Sequence, residues 1–245
     1  MRMEQGTQSQ ALDGAFKALE QYTPINDDPK AVPPLTPIEQ AVQAAHGNPA
    51  TRAALEQRLA PYLAATFSHA TRAFVCRQLA IIGSAASVPA LSALLADEPL
   101  SHMARYALER IPGPEADKAL RDAVGKANRK SKVGIIYSIG VRRDARSVPL
   151  LAKMLNEEPE VAAAAAKALG EIGTPEAAKA LEALRGKGAE PLRVAIADAS
   201  LICAERLMAS GERGDAVRLL EGLTAAPQPH VSLAARRALS AAMGR

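Results

Sequence analysis

The sequence predicts an all-α protein, a solenoid of stacked helix pairs, and three observations carry that prediction. The core available to the chain is small and aliphatic: 48% of the 245 residues are hydrophobic, about a fifth are alanine, and the aromatics are three Phe, four Tyr and no Trp. Alanine has the best helix propensity, and small side chains let helix axes approach closely. A motif of about thirty residues recurs along the chain, as expected of an array of similar units. Within each copy the apolar residues are spaced three or four apart, the period of one buried helix face.

Ser9 to Tyr22 reads as one helix with Leu12, Phe16 and Leu19 on one side. Thr23 to Pro34 is rich in Pro and Asp and reads as an irregular linker. Thr36-Pro37-Ile38-Glu39 fits a capping box with Pro at the first helical position, opening a helix to about Ala45. Asn48-Pro49 opens another, Ala50 to about Thr66. These two helices are read as an N-terminal cap, so the chain divides into residues 1–35 (helix and linker), 36–70 (cap) and 71–245 (repeat array).

In the array, first helices end in Leu/Ile-x-x-Ile: Leu79 to Ile82 before Gly83, Leu108 to Ile111 before Pro112, Ile136 to Ile139 before Gly140, and Leu169 to Ile172 before Gly173. Glycine there is expected to take the left-handed conformation that closes a helix, and proline forbids continuation. Second helices then start at caps: Ser87-Val88-Pro89 and Ser147-Val148-Pro149 are the same tripeptide, and Thr174-Pro175-Glu176 puts Pro at the first helical position. Their leucines, Leu91, Leu120, Leu151, Leu181 and Leu220, are spaced by 29, 31, 30 and 39 residues. A single pair cannot bury its apolar stripe, so pairs must stack on one another. The fifth copy has a long first helix, Leu192 to Ala209, and Val231 to Met243 is a lone helix expected to cap the array.

The copy from Ala168 to Leu184, Ala-Leu-Gly-Glu-Ile-Gly-Thr-Pro-Glu-Ala-Ala-Lys-Ala-Leu-Glu-Ala-Leu, resembles the short bacterial HEAT-like repeat also found in phycobilin lyase subunits. The resemblance covers about Thr71 to Met243 and implies an α-α superhelix of about five helix pairs with capping helices. It implies a binding scaffold and offers no functional motif to carry over.

Chemistry-bearing residues are scattered. His46, His69, His102 and His230 have no second His three or four residues away, and Cys76 and Cys203 sit far apart in apolar helical segments, where they read as buried free thiols. The HEAT-repeat enzyme deoxyhypusine hydroxylase holds its irons with His-Glu pairs, and no His-Glu dipeptide occurs here, so that reading is set aside. No phosphate loop or nucleophile elbow is present, Gly186-Lys187-Gly188 reads as a flexible connector, and Tyr106 and Tyr137 read as packing residues with a wet hydroxyl. No cofactor and no catalysis are expected.

Charge is local. Lys126, Arg129, Lys130, Lys132, Arg142, Arg143 and Arg146 stand against one acid, Asp144, a local charge of +6 in a chain of net +4. A first helix from Ser131 to Ile139 would hold the two halves of the cluster about 13 Å apart at roughly 1.5 Å per residue. Second helices add Lys118, Arg121, Lys153, Lys179 and Arg218, interleaved with Asp122, Glu182 and Glu221, a mixed surface that suits protein recognition better than a phosphate track. The sequence therefore predicts a monomeric, non-catalytic scaffold that binds a protein partner on its curved surface. The alternatives are a binder of nucleic acid or another anionic surface through Lys126 to Arg146, and an accessory subunit of a lyase or other enzyme. No apolar run reaches membrane length and no leader is visible, which reads as a complete cytoplasmic chain.

Overall fold

The computed structural model describes residues 2–22 and 35–242. The linker read at Thr23 to Pro34 and the end of the last helix at Met243 lie outside the described residues. Among the described residues there are fourteen α-helices and no strand, an all-helical solenoid: α1 (Arg2–Glu20), α2 (Thr36–Ala44), α3 (Pro49–Leu59), α4 (His69–Ile82), α5 (Val88–Ala93), α6 (Glu98–Leu108), α7 (Pro114–Val124), α8 (Arg129–Arg142), α9 (Val148–Met154), α10 (Pro159–Ile172), α11 (Pro175–Ala183), α12 (Glu190–Ala209), α13 (Arg213–Leu223) and α14 (Pro229–Ala242). None is long and apolar enough to cross a membrane.

The fold forms two compact units, Met1–Ala119 and Leu120–Arg245. In the first, α1 lies on α2, α3 on α4, and α6 on α4 and α5. In the second, α10 is packed against α8, α9, α11 and α12, and α12 against α11, α13 and α14. The repeat leucines Leu91, Leu120, Leu151, Leu181 and Leu220 are all at most 2% exposed. The recurrent sequence position is thus the recurrent core position.

The N-terminal helix docks. Phe16 and Leu19 of α1 are buried, Thr71 Oγ1 at the start of α4 donates to the Leu19 carbonyl (2.9 Å), and Ser68 Oγ donates to the Tyr22 carbonyl (2.6 Å). The expected capping box at Thr36 does not form. Leu35 is the residue before α2 and has helical backbone angles (φ −95°, ψ −4°), so Thr36 is already inside the helix. Asn48 does cap α3, accepting from the Thr51 amide (3.1 Å). That helix stops at Leu59 rather than Thr66, passing into a 3₁₀ turn over Ala60–Leu63, because Pro61 lacks the amide that the next helical bond needs.

The glycines at first-helix ends differ from expectation. Gly173 takes the left-handed conformation (φ 64°), but Gly83 does not (φ −61°). Gly140 lies inside α8, which continues to Arg142 and closes with Arg143 in the left-handed region (φ 53°). What Gly83 and Gly140 share with Gly170 is lack of room. A Cβ on Gly83 would stand 2.9 Å from Ile111 Cδ1, one on Gly140 2.9 Å from Ala168 Cα, and one on Gly170 2.6 Å from the Ala199 carbonyl oxygen. Two of these are points where consecutive first helices, α8 to α10 and α10 to α12, come nearly backbone to backbone.

Ser87 and Ser147, expected to cap second helices with their hydroxyls, make no such cap. Each hydroxyl goes instead to a buried carboxylate. Glu56, 4% exposed, accepts from the Ser84 amide (2.8 Å), Ser84 Oγ (2.8 Å) and Ser87 Oγ (2.5 Å). Asp144 accepts from Ser147 Oγ and from the Arg146 amide (3.2 Å).

Two predictions follow from this packing. Gly170→Ala should stabilise α10 by helix propensity alone, about 1 kcal/mol, yet the contact at Ala199 makes it destabilising by about 1–3 kcal/mol; urea denaturation showing equal or greater stability would remove the close approach. Glu56→Ala, which strands the buried Ser87 hydroxyl and takes the acceptor from the exposed Ser84 amide and hydroxyl, should cost about 1–2 kcal/mol in the same measurement, and a cost under about 0.5 kcal/mol would show that the turn holds itself.

Candidate functional site

The basic cluster sits on a longer helix than its sequence suggests. Asn128 caps α8, accepting from the Ser131 amide (2.9 Å), so the helix starts at Arg129 and not at Ser131. Arg129, Lys130 and Lys132 occupy its first turn, Arg142 is its last residue, and Arg143 closes it. The two halves are therefore about 20 Å apart along the axis, not 13 Å. Lys126 lies in the preceding loop and Arg146 in the 3₁₀ turn Ala145–Ser147.

Cations in a first turn oppose the helix dipole, and carboxylates from the next copy offset them. Arg129 Nε lies 3.0 Å from Glu158 and its Nη2 3.0 Å from Glu160, and Lys132 Nζ lies 3.1 Å from Glu157. These pairs are solvent-exposed and contribute little to stability, about 0–1 kcal/mol each. Their effect is on the field, since three acids bring the local charge from +6 to +3. The side chains of Lys126, Arg143 and Arg146 are exposed and have no ion-pair partner among the described residues.

On the open face of α8 and α10, two residues of the cluster, Arg129 and Lys130, border a groove of about 580 Å³ that is also lined by Val133, Tyr137, Glu160 and Ala163. Its floor is apolar and its rim carries both signs of charge. Tyr137, read from sequence as a packing residue with a wet hydroxyl, is 39% exposed, and Lys167 Nζ of α10 stands 5.3 Å from its ring centre. Tyr106 of α6 repeats the arrangement at 42% exposure, with the Arg110 guanidinium 3.7 Å from its ring centre. The signal was present in the sequence: Tyr106, Tyr137 and Lys167 recur at intervals of 31 and 30 residues, one outward position per copy.

The second-helix candidates divide. Lys118, Lys153, Lys179 and Arg218 are exposed, Arg218 beside Asp215 (2.9 Å). Arg121 does not belong with them. Its guanidinium is ion-paired with Asp144, whose side chain is 5% exposed, and only 19% of its own side chain is accessible. It is a structural cation bracing the turn before α9, and the alternation of charge along α7 concealed this.

Cys76 and Cys203 are free and buried, as read. Burial pushes both thiols up to about 12, against a smaller lowering from Arg77 and Arg72 at Cys76 and with a further raising by Glu182 at Cys203. Among the described residues, no three His, Cys, Asp or Glu gather where they could hold a metal ion.

Removing Arg121 should leave Asp144 buried without its cation, so Arg121→Met is expected to destabilise the chain by about 3 kcal/mol, measured by chemical denaturation; neutrality would return Arg121 to the surface set. Because the raised thiols bind their protons well above neutrality, neither cysteine should react with a thiol reagent at pH 8 in the native chain, while both react in denaturant. Fast native modification of either would contradict its burial.

Comparison with known proteins places this geometry. Residues 118–202 match the family described as HEAT repeats. Over 76 residues the chain is 36% identical to mouse deoxyhypusine hydroxylase, a stretch covering 30% of this chain and 25% of that protein, so the chain spans a quarter of the length of the curated relative it matches. Among solved structures, human deoxyhypusine hydroxylase in complex with glycerol is similar at 15% identity and a TM-score of 0.39 over all of both chains. Two engineered proteins match 94% of this chain, one at 20% identity and a TM-score of 0.31 over 96% of its length, the other at 19% and 0.30 over 99%. The expectation that the chain is not an enzyme is overturned by the likeness to deoxyhypusine hydroxylase, an enzyme whose resemblance had been set aside for want of His-Glu pairs. The match is to HEAT repeats at large and does not single out the short bacterial form. Within residues 118–202 the recurrent helix pair read from the sequence matches the HEAT repeat.

Proposed function

We propose that this HEAT-repeat scaffold binds a protein partner on the exposed face of α8 and α10. The observation that supports the reading is the groove of about 580 Å³ with an apolar floor at Val133, Tyr137 and Ala163 and a charged rim at Arg129, Lys130 and Glu160. An exposed tyrosine beside arginine is the composition of an interface hot spot. The side chains stand on two packed helices, so little of the surface has to be ordered when a partner arrives. A segment with an apolar side chain flanked by acidic residues would complement the floor and the excess of cations around it.

A second reading, binding to nucleic acid or another anionic surface, draws support from Lys126, Arg143 and Arg146, whose exposed charges have no partner among the described residues. The two differ in their salt dependence. Phosphate binding weakens with a slope of about −0.9 in log K against log salt for each phosphate neutralised, whereas an apolar-floored protein contact weakens far less.

The test is affinity capture from the native host after nuclease treatment, comparing the natural chain, a Tyr137→Ala, Lys130→Glu variant, and a Lys179→Glu control on α11. A stoichiometric protein is expected with the natural chain and the control, reduced about tenfold or more in the double variant, as for loss of a hot-spot residue. Full retention by the double variant overturns the proposed face. Recovery of nucleic acid alone, with a steep salt slope, selects the second reading.

A further inference from the structure

We infer that a second pocket, formed by α12, α13 and the loops flanking them, binds a small apolar carboxylate. The inference goes beyond the partner-binding reading and uses none of its residues. The pocket has a volume of about 180 Å³, below the roughly 300–1,000 Å³ of sites for drug-sized ligands, so it accepts only a few heavy atoms. Ile196 of α12, Leu223 of α13 and Pro227 of the following loop give it apolar walls, and three polar side chains line it: Arg185, Arg193 and Gln228.

Those three side chains are not equivalent. Gln228 is only 9% exposed, and its side-chain amide has no hydrogen-bond partner among the described residues. Its amide atoms still reach solvent, so its donors are available to a ligand in the pocket. The Arg185 guanidinium likewise has no hydrogen bond or ion pair among the described residues. It lies along α13 at Gly222, where any Cβ would overlap its Nη1. Glycine inside a helix is unfavourable by propensity, and here its missing side chain is the space the guanidinium occupies. Arg193 is held in place, donating to the Gly188 carbonyl (2.8 Å) and ion-paired with Glu190, with guanidinium donors to spare. The Gly186-Lys187-Gly188 loop, which reads from sequence as a bare connector, thereby carries one arginine and anchors the other.

Two arginines against one glutamate leave the rim one positive charge in excess, which suits a monoanion. A guanidinium fork matches a carboxylate in two parallel hydrogen bonds, and the Gln228 amide supplies a further donor. A phosphate would bring more charge and nothing to fill the apolar walls, whereas a carboxylate on a short aliphatic stem meets both halves of the pocket. Two sources offer that chemistry: a free short-chain acid, and the last residue of a peptide ending in an aliphatic side chain.

The experiment is isothermal titration of the full chain with hexanoate, with hexanol, and with a short peptide ending in Ala-Leu that carries a free or an amidated terminus. Saturable one-site binding of hexanoate is expected, with hexanol binding at least tenfold more weakly. Arg185→Gln should weaken binding about tenfold by removing the fork, and Gly222→Ala should weaken it comparably by displacing the fork while leaving the melting temperature the same or higher. Tighter binding of the free-terminus peptide than of hexanoate, lost on amidation, identifies a peptide terminus as the source, and the reverse order identifies a free acid. Tyr137→Ala should leave hexanoate affinity unchanged, which keeps this inference separate from the partner-binding face. No hexanoate binding, equal binding of hexanol, or binding that Arg185→Gln and Gly222→Ala do not alter overturns it.

Discussion

The distance between consecutive first helices sets the rest of the second unit, and it is fixed where glycine meets alanine. At Gly140 against Ala168, and at Gly170 against Ala199, a single added methyl would have 2.9 Å and 2.6 Å of space. A core of alanine buries little apolar area per residue, so it must gain in closeness what it lacks in size: dispersion falls away within a fraction of an ångström of gap. Ala162, Ala164, Ala165, Ala166 and Ala168 of α10 are all buried, and none could reach a neighbour standing at the spacing that leucines would set. Close approach also brings the exposed faces of α8 and α10 together, which makes their shared floor narrow enough for Val133, Tyr137 and Ala163 to form one surface.

Polar groups then fix the rotation of each copy about that contact. Arg206 of α12 reaches Glu171 of α10 (2.7 Å) directly beside Gly173, whose missing side chain leaves room for the arginine stem. α10 and α12 are thus pinned by the Glu171–Arg206 ion pair and, one residue earlier on α10, by the backbone contact at Gly170, both close to the C-terminal end of α10. A stack pinned in this way presents its outward residues at a constant angle, which explains why Tyr137 and Lys167, 30 residues apart, meet across the helix boundary.

Much of this was legible in the sequence, because the repeat encodes it. The Leu/Ile-x-x-Ile endings and the second-helix leucines mark the core wherever they occur, since apolar spacing reports burial directly. Less legible was anything that depends on the neighbouring copy. Gly83, Gly140 and Gly173 look alike in sequence, yet only Gly173 is needed for its backbone angles, the others being needed for a contact whose partner lies 28 residues further on. Arg121 reads as an exposed cation until Asp144 is placed beside it, and Lys132 reads as unpaired until the α9–α10 loop brings Glu157 within 3.1 Å. Thr36 carries the right residue types for a capping box, but Leu35 already has helical angles, so the box cannot close. Pairing across copies has no local pattern, and a charge count along the chain cannot see it.

The two buried acids change where one copy ends and the next begins. Glu56 stands on α3 and holds the turn between α4 and α5, while Asp144 sits in the turn before α9 and is neutralised by Arg121 of α7. In both cases the charged group that secures a turn comes wholly or partly from the copy before it. The unit that duplication can copy intact therefore begins at a second helix and runs through the following turn, out of phase with the helix pair that the eye picks out. Duplicating or excising whole helix pairs would give each junction the right helices and the wrong counter-charges, so such arrays grow or shrink most readily by exchanges whose breakpoints fall between a turn and the second helix that follows it.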